Sequence, residues 1–211
     1  MAVLGGLYSS TATTVVLARR AGAEPATRPQ AQTGIILATA VMYLRLLVVI
    51  LVFNRALAMV LLTPLLGLSA LGLAIALGWY FIGERQVPTA ASTNAPANPL
   101  ELTTAATFAA LFVVISIATA WATQRFGSAG IYALAGIVGV SDIDPFVLNL
   151  AQGDASHISV AVGASAILIA ASSNNVVKAV YAIAYSNGHT RVSASMLVLL
   201  ALCGIAAAIA R

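Results

Sequence analysis

The chain has 211 residues, of which 61% are hydrophobic and only 8% charged, and its mean hydropathy is +0.99. Soluble domains carry about a quarter charged residues, so this composition excludes a cytosolic enzyme, a secreted disulfide scaffold, a nucleic-acid binder and a disordered tail. The net charge is +4, and the cations are scattered between apolar runs, which is typical of membrane topology signals. The sequence predicts an integral membrane protein.

Seven apolar runs follow one another along the chain, and each is predicted to cross the membrane as a helix. A hydrocarbon core about 30 Å thick needs about 20 apolar residues per helix. Only helices and closed barrels pair every backbone group in lipid, and the alternating pattern of barrel strands is missing. The expected fold class is therefore all-α, a polytopic transmembrane helix bundle of about seven crossings, at about 3–18, 33–53, 56–82, 102–124, 126–153, 157–186 and 192–210.

The connections divide the chain into two predicted membrane repeats, residues 1–82 and 102–211. Residues 83–101 between them are rich in Pro, Ala, Ser and Asn, which is typical of a flexible linker. Cations between the runs favour an outside amino terminus, because one face is assigned five of them and the other three, namely Arg19, Arg20, Arg28, Arg85 and Arg211 against Arg55, Arg125 and Arg191.

The two halves also resemble each other in sequence. At an offset of 131 residues, Gly5, Ser10, Val16, Leu17 and Gly22 fall on Gly136, Ser141, Val147, Leu148 and Gly153. At an offset of 133, Arg45 falls on Lys178 and Asn54 on Asn187. Four predicted crossings separate the starts of the copies, so the copies are expected to run parallel. Internal repeats often build transporters with a site where the copies meet, although purely structural bundles contain them too.

Two acidic residues, Asp142 and Asp144, lie inside the fifth run, in GVSDIDP. Pro145 has no amide donor and suits the first position of a helix, and Asp144 before it is expected to be the N-cap. The pattern predicts a broken helix, with one stretch ending near residue 140 and a half-helix starting at 145. The alternative is an interfacial loop that leads into a surface helix.

Other polar side chains at membrane depth are expected to complete a site with these carboxylates. Hydroxyls near the start of the chain either bond to their own helix or line a polar path. Two basic residues are expected to balance the acids by ion pairing between the copies, because an unpaired buried charge is strongly destabilising. The predicted ion or substrate site comprises Asp142, Asp144, Ser9, Ser10, Thr11, Thr13 and Asn174, with Arg45 and Lys178 as charge-balancing residues.

Enzyme chemistry is not expected. The sequence has no nucleophile elbow, zinc-protease or phosphate-loop motif. Cys203 is the single cysteine, and His157 and His189 lie in different loops. No cofactor is expected, and metal binding is left open.

Four stretches, GGLYSSTATT, AVMYLR, GVSDIDP and NNVVK, resemble a known family. It is the membrane domain that follows the MgtC/SapB-like portion of many bacterial and archaeal proteins, called domain of unknown function 4010. The resemblance covers essentially the whole chain and implies a polytopic inner-membrane protein. A link to magnesium is suggested by the MgtC label, which belongs mostly to the portion absent here. Family members usually carry another helix before the GG motif, so a truncation or a helix-donating partner is expected.

The favoured hypothesis is a small-ion transporter or permease with a polar site between the two repeats. The alternative is a non-transporting membrane subunit or regulator, whose buried charges serve assembly with a protein partner. The expected partners are the lipid bilayer, a small ion of either sign, and a second copy or a helix-donating protein. No nucleic acid is expected.

Overall fold

A computed structural model describes residues 2–83, 102–153 and 158–211, with side chains at 9–81, 109–153 and 158–211. Within these ranges the chain is all-helical, as predicted, and contains no strand. A single 3-10 turn, Pro25–Thr27, precedes the second helix. Apart from Gly83, the predicted linker 83–101 lies outside the described residues. The helices are α1 (Ala2–Ala23), α2 (Arg28–Phe53), α3 (Arg55–Gly83), α4 (Leu102–Val138), α5 (Asp144–Gln152), α6 (Val160–Tyr185) and α7 (Arg191–Ile209).

Five stretches of the described chain are long and apolar enough to cross a membrane, and they support a membrane protein. They do not include the first and fifth of the predicted crossings. The run 3–18 forms part of α1, and the run 126–153 is not one helix. The five are Pro25–Phe53, Arg55–Phe81, Ala109–Val138, Val160–Tyr185 and Arg191–Ile209.

The chain reverses direction inside α4, at Gly127. Its φ of 58° and ψ of −139° interrupt the helix, and a positive φ is a conformation that glycine adopts without the steric cost of a Cβ. A Cβ on Gly130 would overlap the carbonyl oxygen of Ala122, so the segments on either side of the turn pack closely together. Residues 128–138 therefore turn back toward 109–126, and the candidate span Ala109–Val138 is not one straight helix.

A second reversal follows at residues 139–143, and α5 returns toward the end of the bundle at which residue 128 starts. Asn149 of α5 bonds to Ser116 of α4, and Gly153 lies beside Thr123 in a cavity between the two helices. Residues 128–138 and α5 thus form a hairpin of two short helices, about 16 Å and 13 Å long. The predicted fifth crossing is not confirmed, because each arm is only about half as long as a bilayer core is thick.

Helices α2 and α6 run in opposite directions. We call the start of α2 the Arg28 end and its finish the Asn54 end. At the Arg28 end, the amide of Ser193, just after α6, donates to Gln32 Oε1 at 3.4 Å, so α6 finishes where α2 begins. The expected parallel orientation of two copies is therefore not confirmed, because the helices that carry the matched residues Arg45 and Lys178 are antiparallel. Arg191 also lies at the Arg28 end, not opposite Arg28.

The two central helices are the most buried spans of the bundle. About 56% of the most apolar window of α2 and 61% of that of α6 is buried inside the protein, against 17–39% for the other three spans. Large apolar side chains point outward from the outer helices, with Phe81 of α3 at 72% exposure. Such a surface is suited to lipid, so the polar side chains of α2 and α6 are held at the centre of the bundle.

Candidate functional site

The turn between residues 138 and 144 lies at the tip of the hairpin. Helix α4 ends at Val138 and α5 begins at Asp144, which agrees closely with the break predicted at 140–145. The predicted cap is wrong in detail. Ile143 occupies the N-cap position, Asp144 is the first helical residue, and its amide donates to Asp142 Oδ1 at 3.2 Å. A carboxylate in the first turn also interacts favourably with the positive end of the helix dipole.

Helix α1 is interrupted at Ser9, whose φ of −155° and ψ of 109° are those of extended backbone. Ser9 Oγ accepts a hydrogen bond from the Ala12 amide at 3.3 Å, which is the contact that an N-cap serine makes. The hydroxyl of Thr13 donates to the Ser9 carbonyl at 2.9 Å. A new helical segment therefore starts at Ser10. The Thr13 hydroxyl bonds to its own helix, which is one of the two roles expected for the hydroxyls near the start of the chain.

A small cavity lies where these two interruptions meet. The volume open to the centre of a water-sized sphere is about 20 Å³, and about 10–15 Å³ by this measure holds one water molecule. The cavity therefore accommodates a single water or a small dehydrated ion. Thr13 and Lys178 are the two predicted residues that do not line it. The lining residues are Ser9, Ser10, Thr11, Met42, Arg45, Asp142, Ile143, Asp144 and Asn174.

An ion pair joins α2 to α5 at this cavity. Arg45 donates from one guanidinium nitrogen to both carboxylate oxygens of Asp144, at 2.7 and 2.6 Å. The two side chains are 20% and 29% exposed, so the pair is largely shielded from solvent. One of the expected pairings of an acid with a base is therefore present, across 99 residues of sequence.

The other acid and the other base are not paired with each other. Asp142 is exposed and faces the cavity. Lys178 is fully buried, and its ammonium donates to Met42 Sδ at 3.0 Å. In the part of the chain that the structure describes, Lys178 forms no ion pair with a carboxylate. Two ion pairs were expected to neutralise these four charged residues, and within the described residues only the Arg45–Asp144 pair forms.

Asn174 and a close helix contact hold the hairpin tip against α6. Asn174 Nδ2 donates to the carbonyl of Gly139 at 3.1 Å and to that of Ser141 at 3.4 Å. Ser173 Oγ donates to the carbonyl of Gly136 at 2.7 Å. A Cβ on Gly139 would overlap Ser173 and would lie 2.6 Å from the carbonyl oxygen of Ala170. The glycine therefore lets the tip approach the α6 backbone.

Four residues at or next to the cavity, among them Ile143 of the hairpin tip, were not predicted as site residues. Met42 lines it, and next to Met42 the hydroxyl of Tyr43 accepts a hydrogen bond from Asn175 Nδ2 at 2.6 Å. Both Tyr43 and Asn175 are fully buried. Asn175 lies in the polar run SSNN and was recognisable there, whereas Met42 and Tyr43 carry no signal that distinguishes them from ordinary core residues.

Carboxylate, hydroxyl and amide groups converge on the cavity together with one guanidinium. Asn174 uses its amide nitrogen on the backbone of the tip, so its Oδ1 remains an acceptor, and within the described ranges no donor reaches it. Among the described residues, no three His, Cys, Asp or Glu side chains form a metal-binding group. The arrangement places oxygen acceptors and one cation around a space for one water-sized particle.

Comparison with known proteins gives one family and one relative. The model of the family called domain of unknown function (DUF4010) matches residues 1–186, a range that includes α1 to α6 and every cavity residue. A relative from Aquifex aeolicus (strain VF5), named only as an uncharacterized protein, is 32% identical over 187 residues, which are 88% of this chain and 81% of the relative. No solved structure matches the chain.

Proposed function

This chain belongs to the DUF4010 family, and we propose that it is a transporter or permease that moves a small ion through the cavity between Ser9 and Asp144. The observation that carries this proposal is the cavity itself, at which two interrupted helices bring Asp142, Asp144 and Arg45 together. Each charge costs about 2.5–3.5 kcal/mol at mid-membrane on insertion scales. Charged residues in such a position usually mark an ion or proton pathway.

We further propose that the chain is an inverted duplication, with the cavity between its copies. The opposite directions of α2 and α6, which carry the matched residues Arg45 and Lys178, support this topology. In the proposed copies α1 corresponds to α5 and α2 corresponds to α6. Helix α1 packs against α6, and α5 packs against α2, so the first helix of each copy contacts the second helix of the other. Gly22 lies against the carbonyl of Tyr185, and its match Gly153 lines a cavity with Asn54. Inverted repeats with broken helices at the midplane are a common architecture of secondary transporters.

The proposed mechanism is a rocking of one copy against the other around the cavity. An ion that enters a space for a single water has to exchange hydration for oxygen ligands. Asp142 offers a carboxylate with no ion-pair partner within the described ranges, whereas Asp144 is bound by Arg45. Breaking and remaking the Arg45–Asp144 contact would couple ion binding to movement of α5 relative to α2. Among the described residues, four arginines lie at the Arg28 end and three at the Asn54 end, a bias that favours the Arg28 end as the cytoplasmic face.

A flux assay with purified protein in proteoliposomes tests this function. Asp142→Asn keeps the oxygen that accepts from the Asp144 amide but removes the charge, so we expect it to fold and to lower flux by at least about ten-fold, the loss of about 1.4 kcal/mol of ion stabilisation. Ser195→Ala is the matched control, because Ser195 is exposed and bonds to its own helix at Val192. Wild-type vesicles that pass no tested cation or anion would contradict transport.

The second candidate is a non-transporting subunit, and the exposed surface of α4 favours it. Only 17% of the most apolar window of its span is buried, and Val114 and Ile117 are 61% and 65% exposed. A partner helix would cover this face, which belongs to the least buried of the five spans. A wild-type protein without flux, in which Asp142→Asn changes only assembly into a larger complex, would favour this reading.

A further inference from the structure

A second polar cavity lies between α4 and α5, on the side of the hairpin nearest the Asn54 end. Its volume, by the measure used above, is about 410 Å³, against about 20 Å³ for the central cavity. Unlike the central cavity, it therefore has room for an ion with much of its hydration shell. The residues used below are Ser116, Thr119, Thr123 and Gln124 of α4 and Asn149 of α5, all of which line it.

The α4 residues of this cavity form one polar stripe on an otherwise apolar helix. Ser116, Thr119 and Thr123 are three and four residues apart, a spacing that places them on one face. The opposite face carries large apolar side chains, among them Val114 and Trp121 at 61% and 58% exposure. The helix thus presents its apolar face outward and its hydroxyls toward α5.

The hydroxyl hydrogens of this stripe are already used inside α4. Ser116 donates to the Phe112 carbonyl at 2.8 Å, and Thr119 donates to the Ile115 carbonyl at 2.8 Å. Thr123 donates to the Thr119 carbonyl at 2.7 Å. A hydroxyl has one hydrogen and two lone pairs, so each of these oxygens keeps the capacity to accept, which Ser116 uses in part for Asn149.

The α5 side of the cavity offers acceptors as well. Asn149 Nδ2 donates to Ser116 Oγ at 2.7 Å, so its amide oxygen remains, and no described residue donates to that oxygen. The carboxyl end of α5, the negative end of its dipole, also lies here, at Gly153. Charged side chains are missing from the described lining. The described lining therefore offers neutral oxygen acceptors that suit a positive charge.

We propose that the cavity between α4 and α5 is a vestibule that binds a monovalent inorganic cation and delivers it to Asp142 and Asp144. This inference rests on the proposed function and assigns the sign of the ion. Neutral oxygens suit a weakly held monovalent cation, whereas protein sites for divalent cations recruit carboxylates. Asn149 follows Asp144 by five residues, about 7.5 Å along α5, so one short helix connects the vestibule to the central cavity.

The test is equilibrium binding of ²²Na⁺ to the purified full chain in detergent, together with ²²Na⁺, ⁸⁶Rb⁺ and ³⁶Cl⁻ uptake into proteoliposomes. Thr119→Val with Thr123→Val removes two acceptor oxygens at nearly constant shape. Because each oxygen contributes a contact of about hydrogen-bond strength, we expect Na⁺ binding about ten-fold weaker and a matching rise in half-saturating Na⁺ for uptake. Thr123→Val alone, at a half-buried position, serves if the double variant does not fold.

Thr33→Val is the matched control, because Thr33 is half-buried and donates to the Pro29 carbonyl at 3.1 Å in the same way. Equal Na⁺ binding by wild type and the vestibule variants would overturn the vestibule, even if uptake continued and the proposed function stood. Preferential ³⁶Cl⁻ uptake, or stronger displacement of ²²Na⁺ by Mg²⁺ than by K⁺, would overturn the cation class. Binding that the variants weaken without any uptake would support the vestibule and contradict transport, whereas neither binding nor uptake would contradict both.

Discussion

The Arg45–Asp144 ion pair is the contact through which α2 holds the amino end of α5, and its removal gives the sharpest test of the site. We consider Arg45→Gln, Asp144→Asn and the double variant. The guanidinium donates to both carboxylate oxygens at 2.6–2.7 Å. Each single change removes this contact and leaves the remaining charge on a largely shielded side chain. The double variant removes both charges, so part of the loss is expected to be recovered.

The magnitude follows from the exposure of the two side chains. Exposed pairs contribute about 0.2–1 kcal/mol, whereas breaking a fully buried pair costs about 3–5 kcal/mol. At 20% and 29% exposure the Arg45–Asp144 pair lies between these limits, and we expect each single variant to lose about 2 kcal/mol. For a protein of this size that corresponds to a lowering of Tm by about 4–8 °C.

Unfolding in detergent micelles, followed by circular dichroism, measures this loss, and the double-mutant cycle isolates the coupling between the two residues. The control cycle uses Arg20 and Glu24, which are 4.0 Å apart and 42% and 63% exposed, and there we expect at most about 1 kcal/mol. A coupling energy for Arg45 and Asp144 no larger than that of the control would refute the reasoning.

Three further predictions concern the two helix interruptions. Gly139→Ala is expected to destabilise the protein by about 1–3 kcal/mol through overpacking against Ser173. Gly136→Ala is expected to be neutral or stabilising, because a Cβ there meets no atom within 4 Å. Equal free energies of unfolding for the two variants would contradict this prediction. Arg125→Cys and Gln152→Cys, each in a Cys203→Ser background, are expected to react with an impermeant thiol reagent from the same side of the membrane. His189→Cys is expected to react from the other side. Labelling of Arg125→Cys and Gln152→Cys from opposite sides would exclude the hairpin. Ser9→Ala is expected to cost about 1 kcal/mol through the lost cap to Ala12, and an unchanged Tm would show that the 3.3 Å contact contributes nothing.

Local signals in the sequence were sufficient for the helical membrane architecture and for the break in the fifth run. Hydropathy reports whether a segment can be buried, and a proline preceded by a short polar run interrupts a helix wherever it lies. The boundary between the fourth and fifth runs, placed at residue 125, lies two residues before the turn at Gly127. Six of the seven predicted ligand residues and Arg45 line one cavity, because charged and hydroxyl groups in apolar runs converge where lipid is excluded.

Only the tertiary structure decided how these segments are oriented and paired. Hydropathy is the same for a segment that crosses the membrane and one that turns back inside it, so the direction of residues 126–153, and with it the antiparallel relation of α2 and α6, was not readable from composition. Partner choice is equally non-local: Asp144 contacts Arg45, while Lys178 packs against Met42. Those pairings depend on which faces of distant helices meet, and a side chain's identity alone carries no information about that.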